Sequence, residues 1–243
     1  MDDALPSTTP KSGGKWTNRL AYSAAILLVI SLAIGQSGQS AFIAMSGIAL
    51  AILIGLIAFI IVLIGLLRSK NLSSLNAASW IAIGFGAIVI YQIVGMASAG
   101  GPPIHDITTN TEDPPEFEAI VSLRSPGENT TSYIDDDTAE LQLKAYPDIQ
   151  TILLQDDATT AFARAMTAAE TMGWEIVASD PTRGHIEATA STPFVGFKDD
   201  VVIRLRNASN GTLVDVRSKS RIGKGDMGVN AARIRAYRKL LTD

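Results

Sequence analysis

The chain has no cysteine, which excludes disulfides, thiolate nucleophiles and cysteine-ligated metals. It has two histidines, His105 and His185, and no H-E-x-x-H or comparable ligand spacing. No cofactor motif and no metal site are expected. Three long stretches, Leu20 to Gly35, Ala41 to Leu67 and Ser79 to Ala97, contain no Asp, Glu, Lys, Arg or His. Proton relays and ion paths leave ionisable groups inside the bilayer, so these stretches argue for an anchor and against transport.

The composition is 47% hydrophobic and the mean hydropathy is +0.23, high for a water-soluble protein. The runs predict a three-span α-helical membrane domain over residues 20–97, with Leu20 to Gly35 the shortest. Residues 1–19 read as a disordered cytoplasmic tail. Basic residues orient the chain. Lys11, Lys15 and Arg19 precede the first run, Arg68 and Lys70 lie between the second and third, and none follows until Arg124. The positive-inside rule then places the N-terminus in the cytoplasm and residues 98–243 outside a multi-pass inner membrane, in the periplasm or its equivalent. Glycines at 47, 55, 65, 84, 86 and 95 are expected to allow close helix packing.

Residues 98–243 carry 22 acidic and 15 basic groups, whereas 198–239 carry 11 basic against 4 acidic. An acidic domain with a basic end makes an oriented field; it does not imply nucleic acid. Residues 98–149 hold six of the ten prolines and read as a linker or arm. Asp135-Asp136-Asp137 lacks EF-hand spacing and reads as a solvated acidic patch. Residues 150–243 read as an α+β domain, a four-stranded antiparallel meander flanked by two helices. The helix over 157–172 is capped by Asp156 or Asp157. Strands follow over 174–179, 185–191 and 200–206, and Asn210-Gly211 signals a hairpin into the fourth. Phe194 and Phe197 read as exposed aromatics in a proline-broken connection.

The chain is organised around residues 212–241. Period two puts Val214, Val216, Ser218 and Ser220 on one strand face, and Asp215, Arg217, Lys219 and Arg221 on the other, which is solvated or lines a site. Asp226 reads as the N-cap of a last helix whose stripe is Asn230, Ile234, Tyr237 and Leu241. Residues 223–228 match G-x-G-x-x-G. The dinucleotide fingerprint, however, wants an acidic residue about 20 positions on, and only 15 residues follow Gly228. A capped turn fits better. His185 reads as a surface residue opening a strand, and His105 as a contact of the arm.

The run Ser218-x-Ser220-Arg221-x-Gly223-x-x-Asp226-x-Gly228-x-Asn230, ahead of Arg233-Ile234, resembles the C-terminal signature of the domain-of-unknown-function family 1499. Pro102 to Thr109 and Asp113 to Phe117 resemble it too. The likeness covers Pro102 to Leu241 and implies architecture rather than activity. The candidate binding residues are Arg217, Arg221, Asp226, Asn230 and Arg233, because two arginines beside a helix N-terminus suit a carboxylate or phosphate. Three functions stay open: a module binding an envelope lipid, an anionic ligand or a membrane protein; a hydrolase-type enzyme using the Arg/Asp/Asn cluster; and a structural subunit of a membrane complex. The alternative for the cluster itself is internal pairing.

Overall fold

The computed structural model describes residues 14–37, 41–70, 72, 75–98, 101–133, 136–192 and 196–243. Residues 1–13 of the expected tail, Asp135 and Phe194 lie outside them. The described chain falls into two compact units, one carrying the first three helices and the other all the strands and the later helices.

The first unit is α1 (Lys15–Gln36), α2 (Ala41–Ser69) and α3 (Ala77–Ser98). Among the described residues two helices are long and apolar enough to cross a membrane, Lys15–Gln36 and Phe42–Arg68; the apolar segment Ala77–Tyr91 is shorter. Small residues fill the interior, among them Ala21, Ala24, Ala51, Ala58, Ala78 and Ala82. Large apolar side chains face outward, among them Ile26, Leu53, Ile57, Ile60, Trp80 and Ile90. A Cβ on Gly55 would lie 2.3 Å from the Phe85 ring, and one on Gly86 2.7 Å from Phe59. These two glycines therefore set how closely the helices pack. Gly65 and Gly84 face open space and play no such part.

The second unit is built on a six-stranded antiparallel sheet rather than four strands. Its strands are β1 (Asp106–Thr108), β2 (Ile152–Leu154), β3 (Glu175–Asp180), β4 (His185–Ser191), β5 (Lys198–Ala208) and β6 (Gly211–Ser220). β3, β4, β5 and β6 pair in sequence order. The far edge of β6 is shared by β1, opposite Arg217 to Lys219, and β2, opposite Thr212 to Val214. Both extra strands have three residues, too few for a period-two signal. Gly211 closes the β5–β6 hairpin at φ 140°, and a Cβ there would sit 2.0 Å from the Leu154 carbonyl oxygen on β2.

One sheet face is apolar. Ile186, Ala188, Val201, Ile203, Val214 and Val216 meet Ala161, Ala165 and Ala169 of α5 (Ala158–Thr171) and Ile234, Tyr237 and Leu241 of α6 (Val229–Thr242). Asp157 caps α5 by accepting from the Thr159 and Thr160 N–H groups, which stabilises a helix by about 1 kcal/mol. Trp174 stacks on Tyr237 at 5.2 Å, and the Tyr237 hydroxyl donates to the Ala165 carbonyl at 3.0 Å. Burial pushes the pKa of that phenol well above its ordinary value.

The other face is covered by residues 109–133, part of the stretch that reads as a linker. This arm follows β1 and contributes a 3-10 helix (Ala119–Leu123) and the buried side chains Phe117 and Ile120, which pack on Val202. A further helix, α4 (Asp136–Ala145), follows it, and Gln142 there accepts from the Thr108 N–H at 2.9 Å and donates to the Thr108 carbonyl at 2.6 Å. Proline and scarce apolar periodicity hide a layer held mainly by polar contacts.

Candidate functional site

The second face of the sheet is ionic. Asp215, Arg217, Lys219 and Arg221 do not meet solvent; all four are buried. Three carboxylates on this face are each shared between two cations. Asp106 on β1 receives Arg217 Nε and Nη2, both at 2.8 Å, and Lys219 Nζ at 2.9 Å. Asp200 on β5 receives Arg221 Nη2 at 2.8 Å, Arg124 Nε at 2.9 Å and the Thr189 hydroxyl at 3.0 Å. Asp215 on β6 receives Arg204 Nη2 at 2.9 Å and Arg206 Nη2 at 2.7 Å. Backbone carbonyls of the arm take further donors: Arg217 reaches Pro115 and Thr131, Lys219 reaches Ser132, and Arg221 reaches Leu123. Burial pulls the Lys219 ammonium below its ordinary range, against the opposing pull of Asp106.

Glu187 on β4 is the fourth buried carboxylate. It accepts the N–H groups of Glu118, Ala119 and Ile120, each at 2.9 Å, and pairs with His185 Nε2 at 2.9 Å. His185 is therefore mostly enclosed, with 12% of its side chain exposed, and is not the surface residue its position suggested. Burial pushes the Glu187 carboxyl upward, but His185 and the three N–H groups outweigh it, so its pKa lies below the ordinary carboxylate value. A depressed folded-state pKa gives stability that is fully present above the unfolded value and lost as pH falls through the folded one. Glu187→Gln should cost about 1.5–3 kcal/mol at pH 7, and the gap to the parent should close below about pH 4. Thermal melts from pH 7 to 3 check this; a gap independent of pH refutes it.

The five expected site residues fall in three places. Arg217 and Arg221 lie under the arm. Asn230 and Arg233 belong to α6 and reach the opposite face of the sheet. There Ser218 Oγ donates to Asn230 Oδ1 at 2.6 Å, Asn230 Nδ2 donates to Ser220 Oγ at 2.9 Å, and Arg233 Nη2 reaches Asp199 at 2.5 Å. Asp226 sits at the turn between the faces. It is not the N-cap: that position is Gly228, at φ 83°, and the helix begins at Val229. Asp226 instead reaches from two residues earlier and accepts Gly228 N–H and Asn230 N–H, each at 2.8 Å.

A family model described as a protein of unknown function, DUF1499, matches residues 106–241. The chain belongs to the DUF1499 family. The match runs from Asp106, the carboxylate on β1, to Leu241, buried in α6, so the DUF1499 domain takes in the arm as well as the sheet. A comparison with curated proteins finds no match.

Asp106, Asp200, Glu187 and Arg124 carry no motif that marks them as site residues in the sequence. The usable signal was alternation: four charged residues on one strand face need counter-charges on the neighbouring strands if that face is covered. Beside this layer a cavity of about 370 Å³ is lined by Pro114, Glu116, Phe117, Thr131, Ser132, Tyr133 and Arg217. Arg217 Cζ lies 5.0 Å from the Phe117 ring centre and 5.3 Å from that of Tyr133. Among the described residues no group of three or more His, Asp or Glu side chains is arranged to hold a metal ion.

Proposed function

We propose that the protein is a three-span inner-membrane protein, N-terminus in the cytoplasm, whose extracytoplasmic DUF1499 domain binds an anionic group of an envelope component or of a membrane protein. The membrane part is supported by the first unit, where small residues pack inside and Ile, Leu and Trp face out, the order expected in lipid. The binding part is carried by one observation: two buried cations, Arg217 and Lys219, share the single carboxylate Asp106 beside an aromatic-walled cavity. A net positive buried group favours an anion in the neighbouring space, against the exposed Glu116 carboxylate that also lines it, and guanidinium between two rings suits an amphipathic ligand. The hydrolase reading draws no support from Arg217, Arg221, Asp226, Asn230 and Arg233, because internal partners engage them all.

Native mass spectrometry with solvent extraction tests the binding, on full chain released from membranes in mild detergent. Ser132 is exposed at the cavity rim, so Ser132→Trp fills the space without entering the core. The parent should carry an anionic small molecule or a co-purifying protein, and the equally stable Ser132→Trp chain should not. An empty parent, or equal occupancy of both, defeats the binding reading. A reporter fused after Asp243 tests orientation, and a signal confined to the cytoplasm reverses it.

A further inference from the structure

The turn after β6 holds three apolar side chains out in water. Ile222 is 52% exposed, Met227 63% and Val229 42%, all within eight residues. Single exposed apolar residues are ordinary, but three on one short rigid turn are a surface with a use. The turn is held in place. Asp226 binds two N–H groups of the following helix, Asn129 Nδ2 donates to the Gly223 carbonyl at 2.9 Å, and the Asp226 N–H donates to the Ile104 carbonyl at 3.1 Å. Met227 is kept at φ 52°, a backbone region disfavoured for residues other than glycine.

The surface also has a sign. Lys224 in the turn and Lys198 at the same end of the sheet are exposed, whereas Asp226 points inward and Asp199 is engaged by Arg233. Half-buried Glu128 is a nearby opposing charge, its Oε2 accepting the Ser125 N–H. Connectivity supplies the partner. Ile104, bonded to the turn, follows Ser98, the last residue of α3, by six positions. Six residues span at most about 22 Å when fully extended. The covalent path alone therefore bounds the distance from Ser98 to Ile104, the residue the turn is bonded to. The β3–β4 turn at Pro181 to Gly184 lies at the other end, since Asp199 pairs with Ser220 while His185 pairs with Arg204.

We infer that the 222–229 turn seats Ile222, Met227 and Val229 in the headgroup layer of the anionic bilayer that holds the protein's own helices, with Lys224 and Lys198 on the lipid phosphates. This rests on the membrane-anchored reading above. Basic and apolar side chains together suit that layer, where apolar groups enter about 5–10 Å.

Because the chain has no cysteine, single cysteines can be labelled cleanly in the full-length protein. Ile222→Cys, Met227→Cys and Val229→Cys would carry a nitrobenzoxadiazole probe in vesicles of phosphatidylcholine and phosphatidylglycerol. Leu53→Cys in α2 and Thr182→Cys at the far end of the sheet serve as references. The expected result is a blue shift and loss of emission at 222, 227 and 229, stronger with shallow than with deep doxyl-lipid quenchers. Leu53→Cys is quenched and Thr182→Cys is not. Quenching at Leu53→Cys alone overturns the lipid-seated turn and leaves the anchor standing. Quenching at Thr182→Cys as well overturns the assignment to this end. No quenching at Leu53→Cys sinks the anchor and the turn together.

Discussion

Asp200→Ala should be among the most damaging single substitutions in the domain. Its carboxylate is fully buried and accepts from Arg221, Arg124 and Thr189, so it ties β4, β5 and β6 to the arm. Removing it leaves two guanidinium groups without a counter-charge in a site closed to water. Breaking a buried ion pair in this way costs about 3–5 kcal/mol, against a total stability of about 5–15 kcal/mol for a typical domain. The effect should show first at the arm, because Arg124 also donates to the Asn129 carbonyl at 2.5 Å and anchors residues 124–130. Proteolysis of the native state should therefore move to the arm before the sheet melts. Asp148→Ala is the control. Asp148 also pairs with an arginine, Arg235, but at the surface, where such pairs contribute about 0–1 kcal/mol. Urea melts of the two variants that coincide would remove the ionic layer from the account of this fold.

That layer is also what the sequence concealed. β4 runs from His185 to Ser191 as alternation predicts, α5 begins after Asp157, and the stripe Asn230, Ile234, Tyr237 and Leu241 is buried along its length. Apart from the Asp157 cap and Asn230, whose partners are polar, apolar side chains at a fixed period meet an apolar neighbour, a local signal. The face carrying Asp215, Arg217, Lys219 and Arg221 is equally periodic, yet Lys and Arg are rarely enclosed, so the pattern reads as solvated. What encloses them lies about 100 residues upstream, in a proline-rich stretch with no period of its own. Only register shows that Asp106 lands opposite Lys219 and that Arg204 faces Asp215. The same limit governs the candidate site. Arg217, Arg221, Asp226, Asn230 and Arg233 sit close together in sequence, and a strand sends consecutive side chains to opposite faces. The sheet therefore separates Arg217 and Arg221 from Asn230 and Arg233, leaving Asp226 to pin the turn.

The triad of Asp106, Arg217 and Lys219 can be made to separate architecture from binding. Asp106→Ala alone should cost about 3–5 kcal/mol, since Arg217 and Lys219 would remain buried without a carboxylate. The combined change Asp106→Leu, Arg217→Met and Lys219→Met removes the charges together and keeps most of the volume. Replacing a complete buried ion group with apolar residues is often neutral or stabilising by about 1–4 kcal/mol. The triple variant should then melt near the parent and far above Asp106→Ala. Some loss will remain, because the Pro115, Thr131 and Ser132 carbonyls lose donors. If the triad serves only to hold the arm, the stable triple variant should carry the same bound material as the parent. If the excess positive charge beside the 370 Å³ cavity is what the ligand meets, the variant should be folded and empty. A triple variant as unstable as Asp106→Ala would mean that the ionic geometry itself, with its arm carbonyls, is what the fold requires.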